Sequence, residues 1–201
     1  MIPDITEKFD GSPFLEIRAS HDDICRYLQG HMDEFGAVVA ETAGVKDEIF
    51  NSIATTVDGM FLLAKLYLDS LQGKDTPKAI RTALSKMISG TQADDVYTSA
   101  YEEAMNRIQS QVAERVRRAK QVFAWMTCAK HRLRTVELQQ ALAVEPNTQA
   151  FDESNVARIE DLVFICAGLV TVDEESGTIR LAHYATQDYF DSTRDRWFTD
   201  I

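Results

Sequence analysis

The chain has 201 residues, with 21 Lys and Arg against 32 Asp and Glu, a formal net charge of −11 at pH 7. Apolar residues make up 45% and charged residues 26%, the balance of a folded globular protein rather than a disordered one. Such acidity argues against a general binder of nucleic acid or membrane surface, because both are polyanions. Neither does any apolar run reach the roughly 20 residues that cross a bilayer. Cys25, Cys128 and Cys166 are odd in number and widely spaced, which excludes a disulfide framework and fits a reducing compartment. The N-terminal MIPDITEKFD is acidic where a signal peptide would be basic and then apolar, so the cytoplasm is the expected location. The length suits one or two compact units that bury roughly 70% of the unfolded surface.

In chain order, Gly11-Ser12-Pro13 marks a turn, and Phe14-Leu15-Glu16-Ile17-Arg18 reads as a short strand. Nothing comparable follows within the next ~150 residues to pair with it. A lone strand has unmet backbone groups, so it is expected to complete a sheet whose other strands lie elsewhere. Ser20, with Asp22 and Asp23 behind it, caps a helix carrying Ile24, Tyr27 and Leu28 and ending near Phe35-Gly36. A second helix runs from Val45 through Ile49 and Ile53. After Asp58-Gly59, the stretch Met60 to Leu71 is apolar around most of its circumference and reads as the buried centre of a bundle. Thr76-Pro77 starts the next helix, with Ile80, Leu84 and Met87. From Val96 a stripe of Tyr97, Ala100, Tyr101, Ala104, Met105, Ile108 and Val112 repeats every fourth residue or so, a core face and not a cofactor box. Up to about residue 110 the chain therefore reads as four or five helices with short connections.

The last ninety or so residues differ in kind. One helix holds Val116, Ala119, Val122, Phe123 and Met126, and Thr135 then reads as the N-cap of Val136–Leu142. Pro146-Asn147 makes a loop. A third helix is expected over Ser154–Ala167, with Ile159, Leu162, Val163 and Cys166 on one face and Gly168 at its end. Leu169–Val172, the polar Asp173–Gly177 and Thr178–Leu181 form a hairpin, and a helix over Tyr184–Phe190 closes the unit. Three helices followed by a hairpin is the order of a winged helix. The expected fold is thus mainly α: a helical bundle followed by a winged helix domain with a small β-hairpin.

Motifs for chemistry are missing. Gly73-Lys74 is followed by Asp75 and preceded at the required spacing by Leu68, so there is no phosphate-binding loop. Dinucleotide fingerprints, nucleophile elbows, H-E-x-x-H and C-x-x-C pairs are absent from the sequence as well. Cys128 and His131 stand three apart without an evident orienting group, and His21 and His31 among Asp22, Asp23, Asp33 and Glu34 read as a solvated polar face, not metal ligands. No catalytic and no metal-binding residues are assigned, and the chain is not expected to be an enzyme.

Many winged helices bind DNA through the third helix and the wing. Here Arg115, Arg117, Arg118, Lys120, Lys130, Arg132 and Arg134 face only Glu114 between residues 111 and 135, a local balance of +6 that leaves −17 for the remainder. That basic run, however, lies on the first helix and the turn after it. The would-be reading helix carries Asp152, Glu153, Glu160 and Asp161 against Arg158, and the wing tip is Asp173-Glu174-Glu175. Both would repel phosphates, so DNA binding is disfavoured. Arg115, Arg117, Arg118 and Lys120 form a candidate docking surface for an acidic neighbour in the same polypeptide, or simply a solvated face. His183 stands where the second wing strand turns into the last helix. Its plain reading is a half-buried histidine capping that junction; its functional reading is an N–H donor to an anion.

Four segments carry a resemblance: Asp58–Ala64 (DGMFLLA), Pro77–Leu84 (PKAIRTAL), Thr135–Val144 (TVELQQALAV) and Leu181–Phe190 (LAHYATQDYF). In these the chain resembles fungal NACHT-type signal-transduction NTPases, NOD-like receptors that often carry ankyrin repeats, and its C-terminal part resembles the GPI-inositol deacylase winged helix. The resemblance implies a division into the end of a nucleotide-binding domain (1–20), a helical domain (21–110) and a winged helix domain (111–201). It implies a parent protein with a P-loop domain that binds ADP or ATP and a repeat domain, both partners of this chain, and a homo-oligomer on activation. By itself the chain is expected to bind no cofactor, no nucleic acid and no membrane, and to be either a natural fragment or a shortened gene product. His183 matches the context of the winged-helix histidine that reaches the ADP phosphates and holds the resting state, although here it stands in His-Tyr-Ala and not Met-His-Asp. The implied role is a non-catalytic switch in self/non-self or immunity-like signalling. The alternatives are a DNA-binding winged helix and a fragment of an enzyme related to lipid deacylases.

Overall fold

Ser20 sets the first helix. Its hydroxyl accepts the Asp23 N–H at 3.1 Å, while the Asp23 carboxylate accepts from the Ser20 backbone and hydroxyl. This reciprocal cap satisfies N–H groups that a helix start leaves without partners. The computed structural model describes residues 19–35, 37–57, 59–88, 93–145 and 151–198, the side chains of 37, 38, 88 and 93–96 excepted. The expected strand at 14–18, Asp58 and the Pro146-Asn147 loop lie outside the described residues.

The helices are α1 (His21–His31), α2 (Ala37–Glu41), α3 (Val45–Thr56), α4 (Phe61–Leu71), α5 (Pro77–Ile88), α6 (Ala93–Gln109), α7 (Ala113–Cys128), α8 (Thr135–Ala143), α9 (Ile159–Ile165) and α10 (Tyr184–Trp197). Strands β1 (Val170–Asp173) and β2 (Thr178–Leu181) separate the last two, and short 3-10 turns occupy Met32–Glu34 and Glu153–Asn155. As its composition requires, α4 is the bundle's centre: Leu62, Leu63, Ala64, Leu66, Tyr67, Leu68 and Leu71 are all buried. It packs against α1, α3, α5 and α6. The stripe of α6 buries Ala100, Tyr101, Ala104, Met105 and Ile108. Val112 does not belong to it. That residue is 67% exposed at the break where α7 begins.

The C-terminal unit is the winged helix, with three departures from expectation. Arg134, not Thr135, occupies the N-cap position of α8: its backbone N–H donates to the Glu137 carboxylate at 2.8 Å, and Thr135, already in the first turn, donates its N–H to the Gly177 carbonyl at 3.0 Å. The helix expected over 154–167 shrinks to Ile159–Ile165. The segment before it is held instead to α8 by Asn155 Nδ2 on the Ala143 carbonyl (2.8 Å) and Gln139 Nε2 on the Ala157 carbonyl (2.7 Å). Finally, α10 continues past Phe190 to Trp197, which is buried.

Val170 pairs with Leu181 and Asp173 with Thr178 in the antiparallel hairpin. The other edge of β2 is covered too: Ile179 N–H donates to the Leu133 carbonyl at 3.0 Å, and Arg134 bridges Thr178. The segment after α7 thus acts as a third strand, and no long edge is left open on that side. Entry into β1 depends on two successive left-handed residues, Ala167 (φ 49°) and Gly168 (φ 82°). Replacing Gly168 by Ala is expected to lower the unfolding free energy by about 1–2 kcal/mol, read from urea midpoints, since a Cβ is strained at that φ.

A seam between α6 and α10 joins the bundle to the winged helix. Thr186 of α10 donates to the Tyr101 hydroxyl of α6 (3.4 Å), Tyr189 donates to Glu102 (3.4 Å), and the rings of Tyr101 and Tyr189 lie 5.0 Å apart. Arg196 grips the Glu102 carboxylate with both Nη atoms, and the buried Trp197 Nε1–H donates to the Tyr189 hydroxyl at 3.0 Å. Burial pushes Tyr101 and Tyr189 up to about 12. In the unfolded chain these phenols ionise near ~10, so between those values the unfolded state holds fewer protons and ionisation favours unfolding. Thermal midpoints should therefore hold up to about pH 10 and fall as pH rises towards 12, in step with phenolate absorbance; a flat profile would contradict a buried phenol seam.

Candidate functional site

His183 closes β2 and opens α10. Its backbone is extended (φ −151°, ψ 154°), and its Nδ1 accepts the Ala185 N–H at 3.2 Å. The plain reading of the sequence is therefore the geometry observed: a half-buried histidine capping a helix. The same bond has a chemical consequence. A neutral imidazole that accepts at Nδ1 carries its proton at Nε2, so one N–H donor remains for another group. Burial lowers the proton affinity of this ring below the ordinary value, with Asp188 pulling the other way. The Tyr184 ring, itself exposed, lies 4.3 Å away.

Around His183 runs a cleft of about 520 Å³ between the end of α7, the segment leading to α8, β2 and the first turns of α10. Met126, Leu133, Ile179 and Leu181 form its apolar wall, and Lys130, Arg132 and Arg180 bring three cations to it against Asp188. Sequence reasoning divided these groups among a basic run, a wing strand and a helix junction. The third-strand pairing of residues 133–135 with β2 is what brings Lys130 and Arg132 beside Arg180 and His183. Proximity in the sequence could not signal this, because Arg132 and Arg180 come from segments nearly fifty residues apart that pair only in the fold.

The candidate docking residues sit on α7. Arg117 Nη2 meets Glu114 Oε1 at 2.6 Å, and Arg118 reaches the same carboxylate at 3.6 Å. Arg115 is exposed and Lys120 half-buried. Glu114 thus draws in two of the four cations. Cys128 and His131 are not brought together as a pair: the Cys128 thiol accepts from Arg194 Nη2 at 2.9 Å, and His131 Nε2 lies 3.9 Å from Glu137. His21 and His31 diverge as well, the first 3.4 Å from Cys25 Sγ and the second donating from Nδ1 to the Tyr27 carbonyl at 2.8 Å. Among the described residues, no group of three His, Cys, Asp or Glu side chains could hold a metal ion, and no helix is long and apolar enough to cross a membrane.

Residues 105–197 match the family model of the GPI inositol-deacylase winged helix domain. The match begins in the last turns of α6 and ends on Trp197, so it includes α7 to α10, the hairpin and the seam residue Arg196. Comparison with curated proteins and with solved structures finds no match.

Within the winged helix, His183→Ala removes the acceptor that caps α10 and should cost about 1 kcal/mol in urea unfolding, whereas His183→Asn, which keeps a capping oxygen, should cost less. Because the folded state disfavours protonating this ring, the unfolded chain takes up the proton first as pH drops below about 6.5. Stability should accordingly fall through that range in the parent protein and fall less steeply in His183→Asn.

Proposed function

We propose that the chain is a non-catalytic regulatory module of a NACHT-type NTPase, a helical and winged-helix switch region that holds a closed, nucleotide-bound state in fungal immunity-like or self/non-self signalling in the cytoplasm. The observation that carries this reading is a single helix, α10, which starts at a cleft rimmed by Lys130, Arg132, Arg180 and His183 and ends bonded to α6 of the bundle. The winged-helix family match over 105–197 and the four resembling segments support it. In this reading ADP or ATP belongs to a P-loop domain of the parent, and His183 Nε2–H faces its phosphates. One charge-assisted hydrogen bond of that kind contributes about 1.5–3 kcal/mol, enough to bias a two-state equilibrium. The P-loop and repeat domains are the intramolecular partners, and a homo-oligomer forms on activation.

The reading of a duplex-DNA binder is weaker. Glu160, Asp161, Glu174 and Glu175, on the reading helix and wing tip, are all exposed, and acids there would repel a phosphate backbone. The reading of a lipid-deacylase fragment draws on the same winged-helix match alone.

Two measurements test the proposal. The purified chain should release no phosphate from ATP above a buffer blank; turnover that survives repurification would remove the non-catalytic reading. The genomic sequence upstream should encode an in-frame P-loop, and a serine-nucleophile motif there instead would transfer the chain to the deacylase reading.

A further inference from the structure

The strip of sheet formed by residues 133–135 and β2 carries opposite charges at its two ends. Its pairing runs from the Thr135 N–H on the Gly177 carbonyl, through the Arg134–Thr178 bridge, to the Ile179 N–H on the Leu133 carbonyl. Beyond the first end stands the wing tip, with Asp173, Glu174 and Glu175 in succession. The Asp173 carboxylate accepts the Glu175 and Ser176 N–H groups, both at 3.2 Å, which holds the turn in one shape. At the other end Arg132 and Arg180 stand beside Lys130 and His183 in the cleft of about 520 Å³. The three residues from Gly177 to Arg180 span about 10 Å of strand.

Most of these charges are not used within the chain. Lys130 and Arg132 are exposed and form no ion pair among the described residues, and Asp188 is the one acid lining their cleft. Arg180 is partly committed: it lies diagonally across the hairpin from Asp173 and favours that carboxylate's charged form. Glu174 and Glu175 are exposed and, among the described residues, unpaired. Arg134, bridged to Thr178 next to the tip, sets a single cation against three carboxylates and pairs with none of them among the described residues. One strip therefore presents a rigid acidic projection at one end and a cationic hollow at the other.

We propose that this strip is the interface of a homodimer, in which the wing tip of each copy seats Glu174 and Glu175 against Lys130 and Arg132 of the other. Because both ends lie on one strip, a two-fold axis through its middle satisfies both contacts at once, and the assembly closes at two chains. Exposed ion pairs contribute little each, so apolar contact has to accompany them. Val136, 56% exposed and adjacent to the residue bonded to Gly177, supplies it beside the tip, and Tyr184, 65% exposed, supplies it at the cleft. Repulsion between two chains of net charge −11 is screened over about 10 Å at 0.1 M salt, whereas the complementary groups meet at contact. The dimer uses the same cleft as the regulatory reading but needs no parent P-loop domain, and its test involves no nucleotide.

Sedimentation of the full chain from about 1 µM to about 500 µM should show the mass rise from one chain of 22.6 kDa to two. Glu174→Lys/Glu175→Lys makes both ends of the strip basic, and Lys130→Glu/Arg132→Glu makes both acidic. Each should weaken the dimer by about tenfold or more and keep a thermal midpoint near the parent's, since all four side chains are exposed. An equimolar mixture of the two variants should regain a dimer, because each then meets opposite charge at both ends. Recovery on mixing also shows that both variants are folded. A parent that stays monomeric, masses that grow beyond two chains, a dimer that survives either reversal, or a mixture without recovery would overturn the proposal.

Discussion

The relation between the two halves of this chain rests on the seam between α6 and α10. Four kinds of interaction meet there in a few residues: buried tyrosine rings, a hydroxyl chain from Trp197 through Tyr189 to Glu102, the two-pronged Arg196–Glu102 pair, and the Arg196 guanidinium 4.5 Å from the centre of the Trp197 ring. An exposed ion pair by itself contributes little. Here Glu102 is only partly exposed and shares its carboxylate with a buried network, so neither partner can leave without stranding the other polar groups. The hydroxyls of Tyr101 and Tyr189 are deep enough that ionising them is unfavourable. At neutral pH both phenols therefore keep their protons and remain hydrogen-bond donors in the contact.

Much of the helical half could be read directly, because its determinants are local. Ser20 and Asp23 cap α1 reciprocally, Thr76 and Pro77 start α5, and the all-round apolar α4 is the centre of the bundle. Where reading failed, a distant group had taken over a local one. Val112 extends the α6 periodicity in sequence, yet the helix breaks before it and leaves it in solvent. Thr135 has the chemistry of an N-cap, but its N–H belongs to Gly177 across the sheet, and Arg134 takes the position. Residues 154–158 have helical pattern, and Asn155 and Ala157 are instead tied to α8 by side-chain amides more than ten residues away. A propensity argument cannot anticipate a hydrogen bond whose partner is placed by tertiary packing.

The same distinction governs charge. Summed over the sequence the protein is acidic, and summed over residues 111–135 it is basic, but neither figure locates a site. Glu114 holds two of the four α7 cations that the basic run suggested as a surface. Lys130 and Arg132, from the end of that run, join Arg180 at the His183 cleft. Lys74 and Lys78 at the start of α5 and Lys86 near its end line one cleft, although the sequence marks that region only as a helix and its boundary. What matters is which cations share a concave, partly apolar surface, where each charge is less screened than in open solvent.

His183 connects these observations. Its Nδ1 is committed to the cap of α10, which leaves Nε2 as the free donor and fixes the ring against the first turn. A group that engages Nε2 cannot draw the imidazole away without opening the cap, and the first turn also holds Thr186 against Tyr101. Over its 14 residues α10 extends about 21 Å, from the cation-rimmed cleft to the Arg196–Glu102 pair. A hydrogen-bonded helix carries displacement along its axis with little internal give. Thr186 near its start and Arg196 near its end both tie α10 to α6, so the helix that opens at His183 is held to the bundle along its length.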